Sequence, residues 1–179
     1  MTDNPVEALI AGGGIGGLAC ALACARSGVR VRLYEQAAAF GEVGAGVQLG
    51  PNAVRVLQGW GLAPGLDAVA ARPQALQVMR ADTGERLATL PLGAAMLQRY
   101  GAPYLTVHRA DLHRLLLDAV AAHDTVALRT GCTVQAVAQT ADAVQLQLDG
   151  LAVEGDLLVG ADGVWSRVRD AWPGNEPAR

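Results

Sequence analysis

The sequence predicts an α/β fold with a parallel sheet at its centre, and three observations lead to this prediction. Residues 8–11 are a short apolar run, residues 15–27 are rich in the small and apolar side chains of a buried helix, and residues 29–34 alternate between apolar and polar side chains. Strand, helix and strand in this order form the unit from which parallel sheets are built. A second apolar run, residues 157–160, returns the chain to the same sheet.

A glycine turn joins the first predicted strand to the first helix. Its glycines have the spacing G-x-G-x-x-G, at Gly12, Gly14 and Gly17. In a dinucleotide site the first glycine permits the tight turn, the second lets a pyrophosphate approach the backbone, and the third lets the helix pack on the sheet. Glu35 ends the second strand, where a carboxylate can accept hydrogen bonds from both hydroxyls of a ribose. We therefore predict dinucleotide binding; a glycine-rich turn in an ordinary α/β unit is the alternative.

The composition of the chain argues against several classes of protein. The 179 residues carry a formal net charge of −3, which provides no basic surface for nucleic acid or an anionic membrane. The apolar stretch from residue 6 to residue 25 contains Glu7 and lacks a basic flank, so we expect neither a membrane span nor a signal peptide. The cysteines have no metal-ligand spacing, and we expect them to be small core residues of a protein in the reducing cytoplasm, with no bound metal.

A glycine-rich segment follows the second strand. It spans residues 40–53 with the sequence FGEVGAGVQLGPNA, in which apolar residues lie between the glycines. Such a segment can lay its backbone against a flat ligand, because side chains would obstruct the approach; an ordinary surface loop is the alternative. Residues 51–61 then predict a helix that begins at Pro51.

The centre of the chain predicts a hairpin and a helix. Apolar residues at positions 76, 78, 87 and 90 flank a turn of sequence DTG, which predicts a hairpin that starts a second layer or subdomain. Residues 92–105 are expected to be irregular. An amphipathic helix follows, with Asp111 as its predicted N-terminal cap. Its expected buried stripe consists of Leu112, Leu115, Leu116, Ala119 and Val120.

Short strands dominate the last third of the chain. Residues 125–153 contain alternating apolar and polar positions with a turn at Asp149-Gly150, which predicts an antiparallel meander inserted into the α/β fold. The apolar run that follows delivers Asp162 and Gly163 to the carboxyl end of a parallel strand, where open α/β sheets bind ligands. Residues 166–172 have a helical pattern.

Four motifs in fixed order resemble those of a known family. They are GGGIGG with Glu35, GAGVQLGPNA, HRADLH and GADGVWSRVR. Together they are similar to the motifs of the single-component flavin-dependent aromatic hydroxylases, among them 3-hydroxybenzoate 6-hydroxylase, salicylate hydroxylase and 6-hydroxynicotinate 3-monooxygenase. The resemblance covers essentially the whole chain. It implies an FAD-binding Rossmann-type three-layer fold, glutathione-reductase-like, with an inserted antiparallel β-meander and the start of a substrate-domain β-sheet.

The resemblance also implies a chemistry. FAD, rather than NAD, would occupy the site at the glycine turn, and NADH or NADPH would act as a transient reductant. Reduced flavin and O₂ would form a C4a-hydroperoxide that hydroxylates a small aromatic acid of the hydroxybenzoate or salicylate type. The alternatives are a non-catalytic FAD-binding module and another flavin oxidoreductase on the same fold, such as a reductase, dehydrogenase or halogenase.

The resemblance assigns cofactor contacts to residues of all four motifs and of the meander. Glu35 would hold the adenosine ribose, Arg109 would reach the flavin cofactor, and the backbone at Val134 would lie beside the adenine. Gln48 would also lie beside the substrate, and glutamine there favours a hydroxybenzoate over a hydroxynicotinate. The implied cofactor contacts are Gly12, Gly14, Ile15, Gly16, Gly17, Glu35, Gln36, Val47, Gln48, Arg109, Val134, Asp162 and Gly163. No residue is assigned a catalytic role.

Several of these residues have structural alternatives. Arg109 could instead neutralise Asp111 and Asp118 on its own helix, and Asp162-Gly163 is a common turn dipeptide. The histidines are expected at a helix end or on the surface, rather than as catalytic bases, and they are His108, His113 and His123.

The resemblance also predicts how the chain is divided. Residues 1–72 would be the first part of the FAD-binding domain, residues 73–105 the start of the substrate-domain sheet, and residues 106–179 the second part of the FAD-binding domain. Members of the family continue beyond this length, so we expect an N-terminal portion that does not hydroxylate alone. The hairpin would then expose an apolar face and a strand edge, or bury them in a homodimer or another association.

Overall fold

The computed structural model describes residues 5–41 and 44–172. Its helices and strands, in chain order, are β1 (Glu7–Ala11), α1 (Ile15–Arg26), β2 (Arg30–Tyr34), β3 (Gly46–Leu49), α2 (Pro51–Gly59), α3 (Ala63–Val69), β4 (Ala70–Ala71), β5 (Ala75–Met79), β6 (Arg86–Pro91), α4 (Gly93–Tyr100), β7 (Leu105–His108), α5 (Arg109–Ala121), β8 (Val126–Arg129), β9 (Ala136–Gln139), β10 (Val144–Leu148), β11 (Leu151–Gly155), β12 (Leu157–Gly160) and α6 (Arg167–Asp170).

The described residues form two compact units. The first comprises residues 5–41 and 116–172, and the second comprises residues 44–115. Each contains strands of its own. The domain boundaries that the sequence places after residues 72 and 105 remain a prediction.

The first unit is built on a four-stranded parallel sheet. Its strand order is β12-β1-β2-β8, so β1 is paired on both sides. The side chains of β1 from Ala8 to Ala11 are fully buried, which explains why this strand is a continuous apolar run. Helix α1 packs on β1 and β2 and buries Leu18 and Leu22 together with small residues that permit a close approach.

An antiparallel sheet of order β11-β10-β9 supplies the third layer of the first unit. Leu9 and Ala11 of β1 share one buried cluster with Leu146 of β10 and Val153 of β11. Residues two apart in a strand point to the same face, so this face of the parallel sheet is the one that the meander covers. The α/β fold with a parallel sheet and an inserted antiparallel meander is therefore confirmed.

One strand lies elsewhere than predicted. Strand β8 does not belong to the meander, because it pairs in parallel with β2 and places Val126 opposite Val31. The prediction for residues 125–153 is wrong at this first strand. Four residues carry no periodicity signal that distinguishes a parallel partner from an antiparallel one. The meander begins at β9.

The second unit contains a three-stranded antiparallel sheet of order β3-β7-β4 and the predicted hairpin, which is formed by β5 and β6. The expectation that residues 92–105 are irregular is wrong, because this segment holds helix α4 and the start of β7. Gly101 directly follows the last residue of α4, and its φ of +72° is the left-handed conformation that terminates a helix at low energetic cost when the residue is glycine. The glycine-rich segment likewise contains a strand, β3.

Two helices have bounds that differ from the prediction. Helix α5 begins at Arg109, so Asp111 lies in the first turn and is not the cap; a carboxylate there still interacts favourably with the positive end of the helix dipole. Helix α6 is shorter than the predicted residues 166–172. The predicted stripe of α5 is buried at Leu112, Leu116 and Val120, whereas Leu115 and Ala119 are only half-buried.

The histidines of this region differ in exposure. His113 is buried, with 4% of its surface exposed, which corrects the expectation of a helix-end or surface residue. Position 113 lies directly beside Leu112 on α5, and the helical pattern places it at the margin of the buried stripe. His108 is exposed and lies at the end of β7, where its Nδ1 accepts a hydrogen bond of 3.3 Å from the N–H of Ala110.

The hairpin exposes its apolar side chains, as predicted. Between 50% and 58% of the surface of each predicted residue is exposed, and these residues are Leu76, Val78, Leu87 and Leu90. An apolar face of this kind often marks an interaction surface. Association through it, in a homodimer or with another partner, remains a prediction.

All three cysteines are free thiols and are half-buried. Burial, with a smaller contribution from Cys24, raises the pKa of Cys20 to about 11, so this thiol stays protonated at neutral pH. Within residues 5–41 and 44–172, no helix combines the length and the apolar character needed to cross a membrane.

Candidate cofactor-binding site

The carboxyl ends of the parallel strands lie at one edge of the sheet. Ala11, the last residue of β1, is opposite Tyr34 at the end of β2 and opposite Gly160 at the end of β12. The glycine turn, Glu35 and the segment that contains Asp162 therefore all start from this edge. It is the edge at which open α/β sheets bind ligands.

Close backbone approaches require two of the glycines in the turn. Gly12 has a φ of +102°, and a Cβ atom there would overlap the carbonyl group of Ala161. A Cβ atom at Gly17 would overlap the carbonyl oxygen of Gly12. The turn after β1 is thus packed against the segment after β12, and helix α1 begins in direct contact with the turn.

Helix α1 has unused backbone donors at its N-terminus. It begins after Gly14 with no side-chain cap and no acidic residue in its first turn. The N–H groups of Gly14, Ile15 and Gly16 donate to no described residue. Gly16 is exposed, and a Cβ atom there would meet nothing within 4 Å. Because the helix dipole makes this end positive, the free donors suit the phosphates of a dinucleotide.

The carboxylate of Glu35 is held by two backbone groups. Its Oε2 accepts a hydrogen bond of 2.6 Å from the N–H of Gly13, and its Oε1 accepts one of 2.8 Å from the N–H of Ala37. A carboxylate has about four acceptor positions, so roughly half of them stay available for ribose hydroxyls. Gln36 lies beside Glu35 and is exposed.

At Val134 the backbone groups, rather than the side chain, are available to a ligand. The side chain is buried with Leu146 between the parallel sheet and the meander. Its N–H and carbonyl groups pair with no described residue. The segment that leads to it is tied to Glu35, because the N–H of Cys132 donates to the Glu35 carbonyl at 2.9 Å. A free backbone donor and acceptor are what the edge of an adenine ring requires.

The carboxylate of Asp162 caps helix α6. Its Oδ1 accepts from the hydroxyl of Ser166 at 2.5 Å, and its Oδ2 accepts from the N–H groups of Arg167 at 2.7 Å and Val168 at 3.2 Å. Ser166 is buried, and its hydroxyl oxygen in turn accepts from the N–H of Arg169 at 2.9 Å. The residues from Asp162 to Arg169, with the pattern D-G-x-x-S-x-x-R, therefore form a capping network that fixes the turn beside Gly12.

This network leaves the backbone of the turn available. The N–H groups of Asp162 and Gly163 donate to no described residue, and the φ of Gly163 is +82°. Adjacent N–H groups in a turn with a left-handed residue can form a small anion-binding concavity. The turn thus adds two donors to those of helix α1 at the same edge of the sheet.

The second unit contains the remaining predicted cofactor residues. Val47 and Gln48 lie on β3, which pairs with β7, and Arg109 follows β7 directly. The N–H of Arg109 donates to the carbonyl of Ala45 at 3.2 Å. A Cβ atom at Gly44 would lie 3.1 Å from Cδ of Arg109, so glycine there makes room for the arginine stem. That Arg109 contacts the same cofactor as Glu35 remains a prediction.

A cavity of about 230 Å³ lies beside Gln48 in the second unit. Gln48 and Thr106 are opposite each other in the β3–β7 register, so their side chains share one face. The cavity is lined by Gln48, Pro73, Ala75, Leu76, Leu90, Leu92, Met96, Tyr104 and Thr106. Tyr104 and Thr106 line this cavity although no motif of the sequence indicates them. Their alternation with Leu105 and Val107, which are buried, is the signal that could have revealed them.

A parallel sheet whose glycine turn, acidic strand end and uncapped helix N-terminus meet at one edge defines a dinucleotide-binding protein. More specifically, the chain belongs to the FAD binding domain family, whose model matches residues 5–177. FAD is thus the dinucleotide that this family binds, as the sequence motifs predict.

Curated relatives of the chain are aromatic monooxygenases. The chain is 42% identical over 177 residues to 3-amino-4-hydroxybenzoate 2-monooxygenase PtnB3 of Streptomyces platensis, a match that covers 98% of the chain and 44% of the relative. It is 39% identical over 173 residues to 3-hydroxybenzoate 6-hydroxylase of Klebsiella oxytoca, covering 96% and 44%. It is 37% identical over 177 residues to 6-hydroxynicotinate 3-monooxygenase of Pseudomonas fluorescens, covering 98% and 45%. The chain therefore spans less than half the length of these relatives, and the predicted resemblance to aromatic hydroxylases is confirmed.

Solved structures show the same fold. Klebsiella pneumoniae HpxO complexed with FAD and uric acid matches with a TM-score of 0.82 and 29% identity, over 96% of this chain and 43% of that one. A tetrameric form of 2-methyl-3-hydroxypyridine-5-carboxylic acid oxygenase matches with a TM-score of 0.80 and 30% identity, over 94% and 42%.

Proposed function

We propose that the protein is an FAD-dependent monooxygenase that uses NADH or NADPH and O₂ to hydroxylate a small aromatic acid of the hydroxybenzoate or salicylate type. The observation that carries this proposal is the edge of the parallel sheet, where Glu35 lies beside backbone N–H groups that no described residue accepts from. The relatives of the chain, which are aromatic monooxygenases, support the type of reaction. FAD supplies the redox chemistry of such a reaction, because it takes up reducing equivalents and activates O₂.

The first unit fits the adenosine diphosphate part of FAD. The free N–H groups of helix α1 and of the turn at Asp162 and Gly163 would bind the phosphates. The two unused acceptor positions of Glu35 would bind the ribose hydroxyls, with Gln36 beside them, and the free backbone of Val134 would bind the adenine edge. Each role uses a group that no described residue occupies.

The second unit would supply contacts to the remainder of the cofactor and to the substrate. Val47 and Arg109 are proposed as cofactor contacts, and Gln48 is proposed to contact both cofactor and substrate. The cavity beside Gln48 supports the substrate role, because its apolar lining suits an aromatic ring. We place the protein in the cytoplasm on the basis of its free cysteines.

Asp162→Ala is expected to lower the free energy of unfolding by about 1–2 kcal/mol, because the N-terminal N–H groups of helix α6 lose their acceptor. The turn beside Gly12 would lose its support, so we also expect FAD affinity to fall about tenfold. Asp170→Ala is the matched control, since the exposed carboxylate of Asp170 forms, among the described residues, a single ion pair of 3.6 Å with Arg169. Thermal denaturation and a flavin fluorescence titration provide the two readouts, and unchanged affinity in Asp162→Ala would contradict the role of the cap.

The proposal is tested on the purified chain loaded with FAD. The chain spans less than half the length of its relatives. The readout is therefore the flavin spectrum, which reports on cofactor, reductant and ligand without requiring complete turnover. A hydroxylase is expected to show a spectral change on addition of 3-hydroxybenzoate and bleaching on anaerobic addition of NADH or NADPH. A yellow protein that responds to neither reagent would indicate a non-catalytic FAD-binding module. Bleaching without any response to hydroxybenzoate would indicate another class of flavin oxidoreductase.

A further inference from the structure

Helix α1 carries two cysteines one turn apart, outside its buried stripe. Cys20 and Cys24 are free thiols and half-buried, whereas Leu18 and Leu22, which pack on the parallel sheet, are buried. Because residues four apart are neighbours on the surface of a helix, the two thiols lie side by side, and they share a hydrogen bond. They form a pair of thiols that the proposed cofactor site does not use.

The spacing of this pair suits a bridge through one further atom rather than a direct bond between the sulfurs. Side chains four apart on a helix have Cβ atoms about 5–6 Å apart, whereas the Cβ atoms of a disulfide are about 3.5–4.5 Å apart. A disulfide between Cys20 and Cys24 would therefore require the helix to unwind. An atom bonded to both sulfurs lengthens the bridge and can span the gap while the helix stays intact.

The set of donors favours an element that needs only two sulfurs from the protein. Within the part of the chain that the structure describes, no group of three or more cysteine, histidine, aspartate or glutamate side chains could hold a metal ion. The four-ligand coordination typical of Zn²⁺ is therefore not completed by the described side chains. Trivalent arsenic is a soft acceptor that forms three bonds, and soft sulfur ligands suit it. When one of these bonds is to an organic group, two thiols complete its coordination.

The protonation of Cys20 also favours an arsenical over a metal ion. Burial, with a smaller contribution from Cys24, raises the pKa of Cys20 to about 11, and a metal ion would have to displace the proton that this thiol keeps at neutral pH. An arsenical R–As=O instead reacts with two neutral thiols. Two As–S bonds form, the As=O bond breaks, and both thiol protons leave with the oxygen as water. Arsenic stays trivalent, and the uncharged product suits a half-buried position.

The surface around the two thiols has space for the organic group on arsenic. The neighbouring residues on this side of the helix are Gly16, Ala19 and Ala23, whose side chains are a methyl group at most. Gly16 is exposed, and a Cβ atom there would meet nothing within 4 Å. The organic group can therefore lie along the helix toward Gly16 without displacing a side chain.

We propose that Cys20 and Cys24 form a dithiol site that binds one trivalent arsenical carrying one organic group, with arsenic bridging the two sulfurs. The third cysteine, Cys132, packs against the cluster between the parallel sheet and the meander and offers a single thiol. The site is a property of helix α1 alone, so it does not depend on the proposed function.

Titration of the purified, reduced chain with phenylarsine oxide tests the proposal. Intact-mass spectrometry is expected to show one adduct per chain, which persists in excess glutathione and is removed by dithiothreitol. A second bond to the same molecule strengthens attachment by roughly 10²–10⁴, so a monothiol cannot compete with the pair whereas a dithiol can. Because the ligand binds the folded helix, the unfolding temperature of the adduct is expected to rise by about 2–4 °C.

Variants of the cysteines separate the pair from a single reactive thiol. Cys20→Ser and Cys24→Ser are each expected to weaken binding of phenylarsine oxide at least about a hundredfold, because each leaves one thiol on the helix. Cys132→Ser is the matched control and should bind as the parent does. Ala23→Cys added to Cys24→Ser places the second thiol three residues after Cys20, which is also a neighbouring position on the helix, and should restore binding.

Binding as tight in Cys20→Ser and Cys24→Ser as in the parent would overturn the proposal, and so would an adduct that glutathione removes. Loss of binding in Cys132→Ser would place the arsenical elsewhere in the chain and would also overturn it. An adduct that lowers the unfolding temperature would contradict a site formed by the folded helix.

Discussion

Gly17→Ala is expected to abolish measurable FAD binding and to lower the free energy of unfolding by about 3 kcal/mol. The added methyl group would overlap the carbonyl oxygen of Gly12, and both partners are backbone atoms that cannot rotate away. Helix α1 would have to move off the sheet, and the donors of its N-terminus would move with it. The loss is therefore expected in both stability and affinity, and it is measured by urea denaturation and a flavin fluorescence titration.

Gly16→Ala is the matched control for this substitution. A methyl group at Gly16 meets no atom within 4 Å, so it causes no overlap. Because alanine is favoured over glycine inside a helix, we expect Gly16→Ala to raise the free energy of unfolding by about 0.5–1 kcal/mol. The two substitutions, one residue apart, should thus have opposite effects on stability. Equal stability of the two variants would contradict the packing of the turn against helix α1.

Glu35→Ala is expected to weaken FAD binding by about ten- to a hundredfold. The variant loses the charge-assisted hydrogen bonds proposed for the ribose, which are worth about 1.5–3 kcal/mol. It also removes the acceptor of the Gly13 and Ala37 N–H groups, so the turn that carries the phosphate donors loses a support. In FAD the ribose of the adenosine is remote from the reacting flavin ring, so we expect Glu35→Ala to lower cofactor affinity and to leave the flavin chemistry unchanged.

Glu35→Gln distinguishes the two contributions of this side chain. Its single amide oxygen can accept from Gly13 or from Ala37 but lacks the charge, so its affinity should lie between those of the parent and of Glu35→Ala. Glu85→Ala, an exposed glutamate of the second unit, is the control and should bind FAD as the parent does. Unchanged affinity in Glu35→Ala would remove the ribose assignment.

The parallel sheet and its site could be predicted because strong local signals agree there. The continuous apolar run of β1, the glycine spacing and Glu35 each have a physical cause that acts within one βαβ unit, and the structure places them together. The aromatic hydroxylase motifs added the identity of the cofactor. The structure of a segment can be predicted from sequence when its apolar pattern, its turn residues and its helix and strand propensities agree in this way.

Other features depended on contacts that are distant in sequence. Strand β8 belongs to the parallel sheet because it pairs with β2, which lies much earlier in the sequence. The carboxylate of Asp162 accepts hydrogen bonds from three donors at the start of helix α6, namely the Ser166 hydroxyl and the N–H groups of Arg167 and Val168. The dipeptide Asp-Gly alone does not predict these bonds. The cavity beside Gln48 combines β3, the hairpin and β7, and no single stretch of sequence contains its pattern.

Titration of the purified chain with FAD, with ADP and FMN as competitors, tests the central claim most directly. The residues of the first unit are matched to the adenosine and phosphate groups, so we predict one bound FAD per chain, displaced by ADP and not by FMN. The same titration with Gly17→Ala should show no binding. A chain that binds no FAD would contradict the account, and so would FAD that FMN displaces while ADP does not.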